Sequence, residues 1–256
     1  MHSFQYAPDY TLIYMEPFIH LHVHTQYSLL DGQASIDALI DKAYKDGMRA
    51  IAVTDHGVMF GIKEFFNKVS KKNSKPLGII KDSEKELKPL LAKDAPTDEE
   101  QQRITELQKQ IAEAKASIFK PIIGCEVYVT RHYDPKIKDS EHRSYYHLIL
   151  LAKNFDGYKN LMKIVSQGHI EGLYYGKPRV SHEIIEKYHE NLICCSACLA
   201  GEIPKNIVAG KMDEARKAIE WHKRVFGDDY YLEVMLHKTE VPGLSRDVYE
   251  EQKISN

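Results

Sequence analysis

Residues 18–25 read FIHLHVHT, which places histidines at positions 20, 22 and 24. In a β-strand, side chains two residues apart point to the same face, so a strand over 18–24 would direct His20, His22 and His24 into one space. One buried histidine is usually only hydrogen-bonded, but three in alternation would each need a polar partner within an apolar strand. Neutral imidazoles at this spacing suit Zn²⁺, Mn²⁺ or Fe²⁺. The segment therefore predicts a metal centre on one face of a sheet.

Short apolar runs alternate with helical patterns along the rest of the chain. Further strands are predicted over 50–54, 121–130, 146–152, 192–196 and 230–236. Helices are predicted over 35–46, 61–70, 157–167, 181–188 and 212–226. This β-α alternation predicts a parallel sheet, either open and doubly wound or closed into a barrel.

Other possible metal ligands lie near the predicted strands. They are Asp31, His56, Glu126, His147 and Cys198. An α/β barrel assembles its site at the carboxyl ends of its strands, and His56 and Cys198 suit that position. Glu126 lies within its strand and His147 at the start of its own, so position alone leaves both open to a purely structural role.

The composition is that of an ordinary globular protein, with 28% charged residues and a net charge of −2. This balance argues against a generally basic nucleic-acid-binding surface, although a local basic groove stays possible. No apolar run is long enough to span a bilayer, and the first 17 residues, taken as an N-terminal extension, do not form a secretory signal. We therefore expect a cytoplasmic protein without a membrane partner.

Three of the four cysteines lie within residues 194–198, a spacing that indicates reduced thiols and not a disulfide framework. Cys195 and Cys198 could also be a redox dithiol or half of a zinc knuckle. No second CxxC pair exists to complete a knuckle, so this interpretation is the weaker one.

Residues 71–117 interrupt the alternation because they are rich in Lys, Glu and Gln. A capping-box pattern at Thr97 precedes a helix in which Ile104, Leu107 and Ile111 share one face. The pattern predicts an inserted helical hairpin or arm. We expect a solvated excursion that packs on the body through this apolar stripe, with a partner-docking surface as the alternative.

Five longer motifs make the sequence similar to the PHP (polymerase and histidinol phosphatase) domain family. They are FIHLHVHTQYSLLDG at 18–32, AVTDHG at 52–57, KPIIGCEVYV at 120–129, YHLILLA at 146–152 and CLAGEIP at 198–204. Within the family they most resemble the amino-terminal domains of bacterial replicative DNA polymerases, which are DNA-directed DNA polymerases. The resemblance covers about 18–236 and implies a distorted seven-stranded (β/α) barrel with up to three divalent metal ions.

The resemblance also implies metal-ligand roles for residues of this chain. His22 and His24 correspond to ligands of the first metal, and Glu126 bridges it to the second. His147 and Cys198 complete the second site.

Asp31 and His56 correspond to ligands of the third metal. His20 is not a family ligand, which reduces the strand's three candidate imidazoles to two. No catalytic residue separate from the metal ligands is implied.

The sequence departs from the family in two ways. The complete ligand set ends in an Asp-x-His motif, which does not occur in these 256 residues. We therefore expect a PHP domain over 18–256 that is incomplete at its carboxyl end and belongs to a longer polymerase. The first and third metals would each lose a ligand, so a retained metal should favour Glu126, His147 and Cys198. The insertion over 71–117 is the second departure, and it leaves the motifs intact.

Two functions of different classes follow from the resemblance. The first is a metal-dependent phosphoesterase acting as a 3′-5′ exonuclease on a DNA 3′ end, with water activated by the bound ions. The second is an inactive, metal-stabilised scaffold that supports the rest of the polymerase and binds a proofreading exonuclease subunit. A free-standing histidinol phosphatase is a third interpretation, which the polymerase-like stretches at 26–32 and 202–204 disfavour.

Four further residues are candidates for substrate contact. Arg143, Lys153 and His237 could bind phosphate, although surface cations are common. Tyr27 could touch the substrate or pack beside the site.

Overall fold

The computed structural model describes residues 18–29, 31–131, 133–236 and 248–256. The predicted N-terminal extension over 1–17 and the candidate His237 lie outside the described residues.

Nine α-helices lie in the described part of the chain. They are α1 (Ile36–Lys45), α2 (Ile62–Lys72), α3 (Ser74–Leu91), α4 (Asp98–Ala116), α5 (Phe155–Ile170), α6 (His182–Lys187), α7 (Glu202–Val208), α8 (Met212–Phe226) and α9 (Val248–Ser255). Seven strands accompany them within the same residues. They are β1 (Ala50–Val53), β2 (Lys120–Thr130), β3 (Tyr145–Ala152), β4 (Leu173–Tyr174), β5 (Lys177–Val180), β6 (Leu192–Cys195) and β7 (Tyr230–Tyr231).

Helix α1 illustrates how local sequence sets an element. The side chain of Ser35 accepts a hydrogen bond from the backbone N–H of Ala38 at the amino end. Lysines in the last turn complement the partial negative charge of the carboxyl end. Ile36 and Ile40 are buried on one face. The helix predicted over 35–46 is confirmed.

The strands form one mixed sheet in the order β4-β5-β2-β3-β6-β7, and β1 pairs with the first residues of β2. β2 is parallel to β1 and β5, whereas β3 is antiparallel to both β2 and β6. The expectation of a wholly parallel sheet was therefore wrong. Parallel strands need a long crossover, usually helical, whereas the described residues between β2 and β3 hold no helix besides the 3₁₀ turn at Glu141–Arg143.

Both faces of the sheet are covered by apolar packing. Along β3, Leu148 and Leu150 belong to one buried cluster. Ile149 and Leu151 belong to another on the opposite face. This arrangement explains why the strand reads as a continuous apolar run and not as an alternating one.

Residues 18–24 do not form the predicted regular strand. The backbone N–H of Ala52 donates to the carbonyl of His20, but that of Thr54 donates to the carbonyl of Val23, not of residue 22. One extra residue therefore lies between the two hydrogen bonds, and it breaks the alternation of side chains. His20 is exposed and contacts Phe18, so it does not join His22 and His24.

Helices α3 and α4 form an antiparallel hairpin with its own small core. Leu87 of α3 packs with Ile104, Leu107 and Ile111 of α4. The predicted capping box at Thr97 is present. The apolar stripe of α4 thus contacts α3, which corrects the expectation that it packs on the body.

A single asparagine ties the two ends of this hairpin together. The side chain of Asn73 donates to the carbonyl of Phe119 at 2.8 Å and accepts from its N–H at 3.0 Å. Both residues are buried. The hairpin therefore leaves and rejoins the body at one point.

Several smaller elements differ from the sequence-based expectation. The β4-β5 hairpin and α7 were not predicted. The strand predicted over 230–236 is confirmed only for Tyr230–Tyr231. All four cysteines are free thiols. No described helix has the length and apolar character that crossing a membrane requires.

Candidate metal centre

The candidate ligands meet at one end of the sheet. The carboxyl ends of β1 and β6 lie at this end, together with the start of β3, because β3 runs antiparallel to its neighbours. His56 forms a β-bridge with Glu126, and His147 forms one with Gly201. The antiparallel β3 therefore explains how a residue at the start of a strand joins residues that follow other strands.

The side chain of Glu126 is at the centre of the cluster and is fully buried. Its Oε2 atom lies 2.9 Å from Nε2 of His22 and 2.6 Å from Nε2 of His24. Nδ1 of His56 lies 3.3 Å from the same oxygen. Three imidazoles therefore converge on one carboxylate oxygen.

The second oxygen of Glu126 faces another pair of candidates. Oε1 lies 2.8 Å from Nδ1 of His147 and 3.9 Å from Sγ of Cys198. Sγ of Cys198 is also 3.7 Å from Nδ1 of His147 and accepts a hydrogen bond from the N–H of Ala200. Glu126 thus lies between two groups of possible ligands.

A buried aspartate fixes the backbone on either side of the cluster. Asp55 accepts hydrogen bonds from the N–H of Thr25 at 2.6 Å and from the hydroxyls of Thr25 and Ser28. The Ser28 oxygen in turn accepts from the N–H of His56. These bonds join the turn after His24 to the end of β1. They therefore fix the backbone that carries the imidazoles of His24 and His56.

Asp31 lies at the rim of the cluster. Its Oδ2 atom is 3.8 Å from Nε2 of His56, and its side chain is about half exposed. A Cβ on the next residue, Gly32, would lie 2.0 Å from the carbonyl oxygen of Thr25. Only glycine allows the turn to approach this closely, which keeps Asp31 near His56.

Glu233 joins the cluster although no sequence motif selects it. Its Oε2 atom lies 2.9 Å from Nδ1 of His22, and its Oε1 atom accepts from the N–H of Ala197. Ala197 has a positive φ of 62° just before Cys198. Glu233 therefore connects His22 to the loop that carries Cys198. Sequence reasoning missed it because it is a single acidic residue two positions after β7, without a motif.

The cluster changes the pKa values of its members. Burial lowers the pKa of His22, but hydrogen bonds to Glu126 and Glu233 outweigh this effect and raise it to about 9. Burial works against the ionised Glu126, yet hydrogen bonds from the imidazoles hold its pKa well below the usual range. Burial lowers the pKa of His56 to about 4, against the attraction of Glu126. Burial and the Glu126 charge raise the pKa of Cys198 to about 11.

The donor set fits a divalent transition metal. His22, His24 and Glu126 offer ligand atoms within 4.8 Å of one another, and so do His56, Glu126 and His147. Nδ1 of His56 is buried and, although it lies 3.3 Å from Oε2 of Glu126, it forms no hydrogen bond with the described residues, an arrangement that a metal would satisfy. Imidazole, carboxylate and thiolate together suit Zn²⁺, Mn²⁺ or Fe²⁺.

The substrate candidates are placed differently from one another. The Tyr27 hydroxyl donates to Glu64 on α2, and its ring packs beside Gly61. Lys153 pairs with Asp229 at 2.7 Å and follows the far end of β3. The structure thus turns the polar atom of Tyr27 towards α2, and it pairs Lys153 with Asp229 although Lys153 lines the same cavity as His22 and His24.

Arg143 lies two residues before β3, the strand that carries His147. It is exposed and stands 4.8 Å from the centre of the Tyr175 ring.

Comparison with known proteins identifies the family of this chain. The PHP domain family matches residues 20–104 and 95–237. The chain therefore belongs to the PHP domain family, as the motifs predicted.

Its relatives include alpha subunits of DNA polymerase III. The chain is 41% identical over 221 residues to the DNA polymerase III subunit alpha of Borreliella burgdorferi. It is 38% identical over 224 residues to that of Treponema pallidum and 33% over 241 residues to that of Deinococcus radiodurans. These alignments cover 86%, 86% and 91% of the chain but only 15%, 15% and 14% of the relatives. The chain thus spans about one seventh of the length of these proteins.

Proposed function

We propose that this chain is the PHP domain of a bacterial DNA polymerase III alpha subunit, a cytoplasmic DNA-directed DNA polymerase. We further propose that its Glu126 cluster is a divalent-metal centre that hydrolyses phosphodiester bonds at a DNA 3′ end. The convergence of His22, His24 and His147 on one buried carboxylate carries this proposal. The relatives support the polymerase, and the cluster supports the chemistry.

The proposed ligands divide into the groups implied by the family. His22, His24 and Glu126 would hold one ion, while Glu126, His147 and Cys198 would hold a second. The contacts between donor atoms within these groups, from 2.6 Å to 3.9 Å, support both groups.

Asp31 and His56 would contribute to a third ion. Bound Zn²⁺, Mn²⁺ or Fe²⁺ would lower the pKa of water and polarise the phosphodiester.

The chain's own residues prepare the site. The hydrogen bond between Glu233 and Nδ1 of His22 leaves Nε2 of that ring directed at Glu126. Asp55 holds the segments that carry His24 and His56. Such supporting contacts fix ring orientation and commonly change metal affinity 10- to 100-fold.

A scaffold is the second candidate function, and one observation favours it. The possible ligands come from segments that are far apart in sequence, from His22 to Cys198. A metal bound there would stabilise the fold, because it would hold these segments together in the folded state only. In that case the domain would support the polymerase body and bind a proofreading subunit. In either case we propose that the sheet described here is part of a PHP-type barrel.

Two measurements on the same protein separate the candidates. Elemental analysis of the wild type, His147→Ala and Cys198→Ser should give metal in the wild type and less in both variants. Trimming of a 5′-labelled single-stranded DNA with Mn²⁺, Zn²⁺ or Fe²⁺ should occur in the wild type and disappear in Glu126→Gln. Metal without trimming, also in a longer chain that contains an Asp-x-His motif, would support the scaffold. Absence of metal from all preparations would contradict both candidates.

A further inference from the structure

One side of the Glu126 cluster is bordered by tyrosines. The ring of Tyr128 is parallel to that of His56, with centroids 5.6 Å apart and planes at 6°. The ring of Tyr145 is parallel to that of His147, at 5.9 Å and 3°. A tyrosine ring therefore stacks on each of these two candidate ligands, His56 and His147.

Two cations accompany these rings. Nζ of Lys177 donates to the hydroxyl of Tyr128 at 3.0 Å and lies 4.8 Å from its ring centre. Arg143 lies 4.8 Å from the centre of the Tyr175 ring.

Neither cation forms an ion pair with a carboxylate of the described residues. Elsewhere such pairs are frequent, as between Lys153 and Asp229 or between Arg103 and Glu86. Lys177 and Arg143 therefore carry positive charge that the described protein does not neutralise. A ligand with negative charge would supply the missing partner.

Tyr175 has an unusual backbone conformation. It occupies the tip of the β4-β5 hairpin with φ of 47°, and the next residue, Gly176, has φ of 73°. A two-residue hairpin with positive φ at both positions normally takes Asn, Asp or Gly, because a bulky side chain is strained there. A tyrosine nevertheless occupies this position, and it is 72% exposed. Strained residues with exposed side chains often occur at binding sites.

We propose that Lys177, Arg143 and Tyr175 bind the end of a single-stranded nucleic acid beside the metal centre. The two cations contact backbone phosphates, and the Tyr175 ring stacks on an unpaired base. This proposal rests on the proposed function, because it names the strand-binding surface of that site.

The chemistry selects a single strand. An exposed aromatic ring can stack on a base only when the base is not already enclosed in a duplex, and such stacking is largely independent of sequence. Unpaired cations next to the ring match the regular phosphates of the backbone. Tyr128 is buried and acts as a positioning residue, since its hydroxyl holds Lys177.

Binding of a fluorescein-labelled oligothymidylate, measured by anisotropy in EDTA, tests the proposal without any hydrolysis. Tyr175→Gly removes the ring and suits the positive φ, so we expect binding to weaken roughly fivefold to a hundredfold. The salt dependence of strand binding should be the same in Tyr175→Gly as in the wild type. Lys177→Met and Arg143→Met should each reduce the slope of log affinity against log salt by about 0.7.

Tyr44 offers a matched control. It is an exposed tyrosine with Lys72 lying 4.2 Å from its ring centre, and it contacts Phe119 at the opposite end of β2. Tyr44→Ala should bind the oligonucleotide like the wild type. Equal binding by Tyr175→Gly and Tyr44→Ala would overturn the proposal. So would inorganic phosphate displacing the strand while Tyr175→Gly has no effect, since that result indicates a small phosphate ligand.

Hydrolysis of bis(p-nitrophenyl) phosphate with Mn²⁺ tests the metal chemistry separately. If the wild type hydrolyses this ester and none of the three variants weakens strand binding, the strand site is wrong and the proposed function stands. If the variants weaken strand binding but no preparation hydrolyses the ester, the strand site stands and the hydrolytic function fails. Ester hydrolysis by the wild type, together with weakened strand binding in Tyr175→Gly and unchanged strand binding in Tyr44→Ala, supports both.

Discussion

The α3–α4 hairpin and the Glu126 cluster are both rich in charge, but they use it in opposite ways. In the hairpin, Arg103 bonds to Glu86 and Glu106 at the surface, where water screens each pair and competes with it. In the cluster, one carboxylate is buried and is contacted by imidazoles and a thiol from distant segments. The burial of a charged group, and not the number of charged pairs around it, therefore decides how strongly that group interacts with its neighbours.

The largest expected effect tests this contrast directly. Glu126→Gln should weaken divalent-metal binding by more than about a hundredfold, because a direct ligand should matter more than the supporting contacts that typically change affinity 10- to 100-fold. Titration calorimetry with Mn²⁺ measures the change. Glu86→Gln, the matched surface control, should leave both metal affinity and unfolding temperature unchanged. Similar behaviour of the two variants would mean that the buried carboxylate contributes no more to metal binding than a surface one.

The hairpin should be sensitive to packing where it is insensitive to charge. Leu107 is 1% exposed, so Leu107→Ala should destabilise the hairpin by about 2–5 kcal/mol. Hydrogen exchange should show lost protection in α3 and α4 but not in β2, and metal affinity should not change. Leu91→Ala, at a position 57% exposed, is the control. Loss of metal binding in Leu107→Ala would show that the two regions are coupled.

Glu233 provides a smaller perturbation of the cluster. Glu233→Ala removes the acceptor from Nδ1 of His22 and from the N–H of Ala197, so metal affinity should fall about 10- to 100-fold. The same calorimetric titration measures it. Glu214→Ala, which removes only a surface pair with Lys217, should have no effect. Unchanged affinity in Glu233→Ala would mean that His22 is held by Glu126 alone.

The pH dependence of the metal-free protein should be the mildest test. His22 has a pKa raised from 6.5 to about 9, so its stabilisation is complete below pH 6.5 and is lost as pH rises through 9. His56 has a pKa lowered from 6.5 to about 4, so stability is lost as pH falls from 6.5 towards 4. The unfolding temperature in EDTA should therefore be highest near pH 6.5. Glu233→Ala should flatten the alkaline side, and an identical profile in both proteins would contradict the assignment to His22.

The hairpin was easier to predict from the sequence than the cluster. Its signals are local, whereas the contacts of the cluster join segments that are far apart along the chain. The capping box at Thr97 and the stripe of Ile104, Leu107 and Ile111 are local signals, and the helix that they predict is present. The apolar stripe does not specify which surface it packs against, so its packing against α3 could not be predicted. Helix α1 was predicted almost to the residue because its cap and its apolar spacing agree.

The cluster was only partly accessible to sequence reasoning. Motifs selected Glu126 and His147, and the structure brings both together, but the use of β3 in an antiparallel direction was missed. The lack of a predicted helix between residues 131 and 145 was the signal for it. Glu233 could not be selected, because its role depends on a backbone N–H in a loop 36 residues away.

The closure of the hairpin at Asn73 and Phe119 has a consequence for how the chain can vary. The two ends lie within hydrogen-bonding distance although 46 positions separate them, so their separation does not depend on what is strung between them. Helices α3 and α4 could be lengthened, shortened or replaced by a tight turn while β2 still begins at the same place. The fold thus contains a site where foreign sequence can be inserted or a domain grafted without moving Glu126.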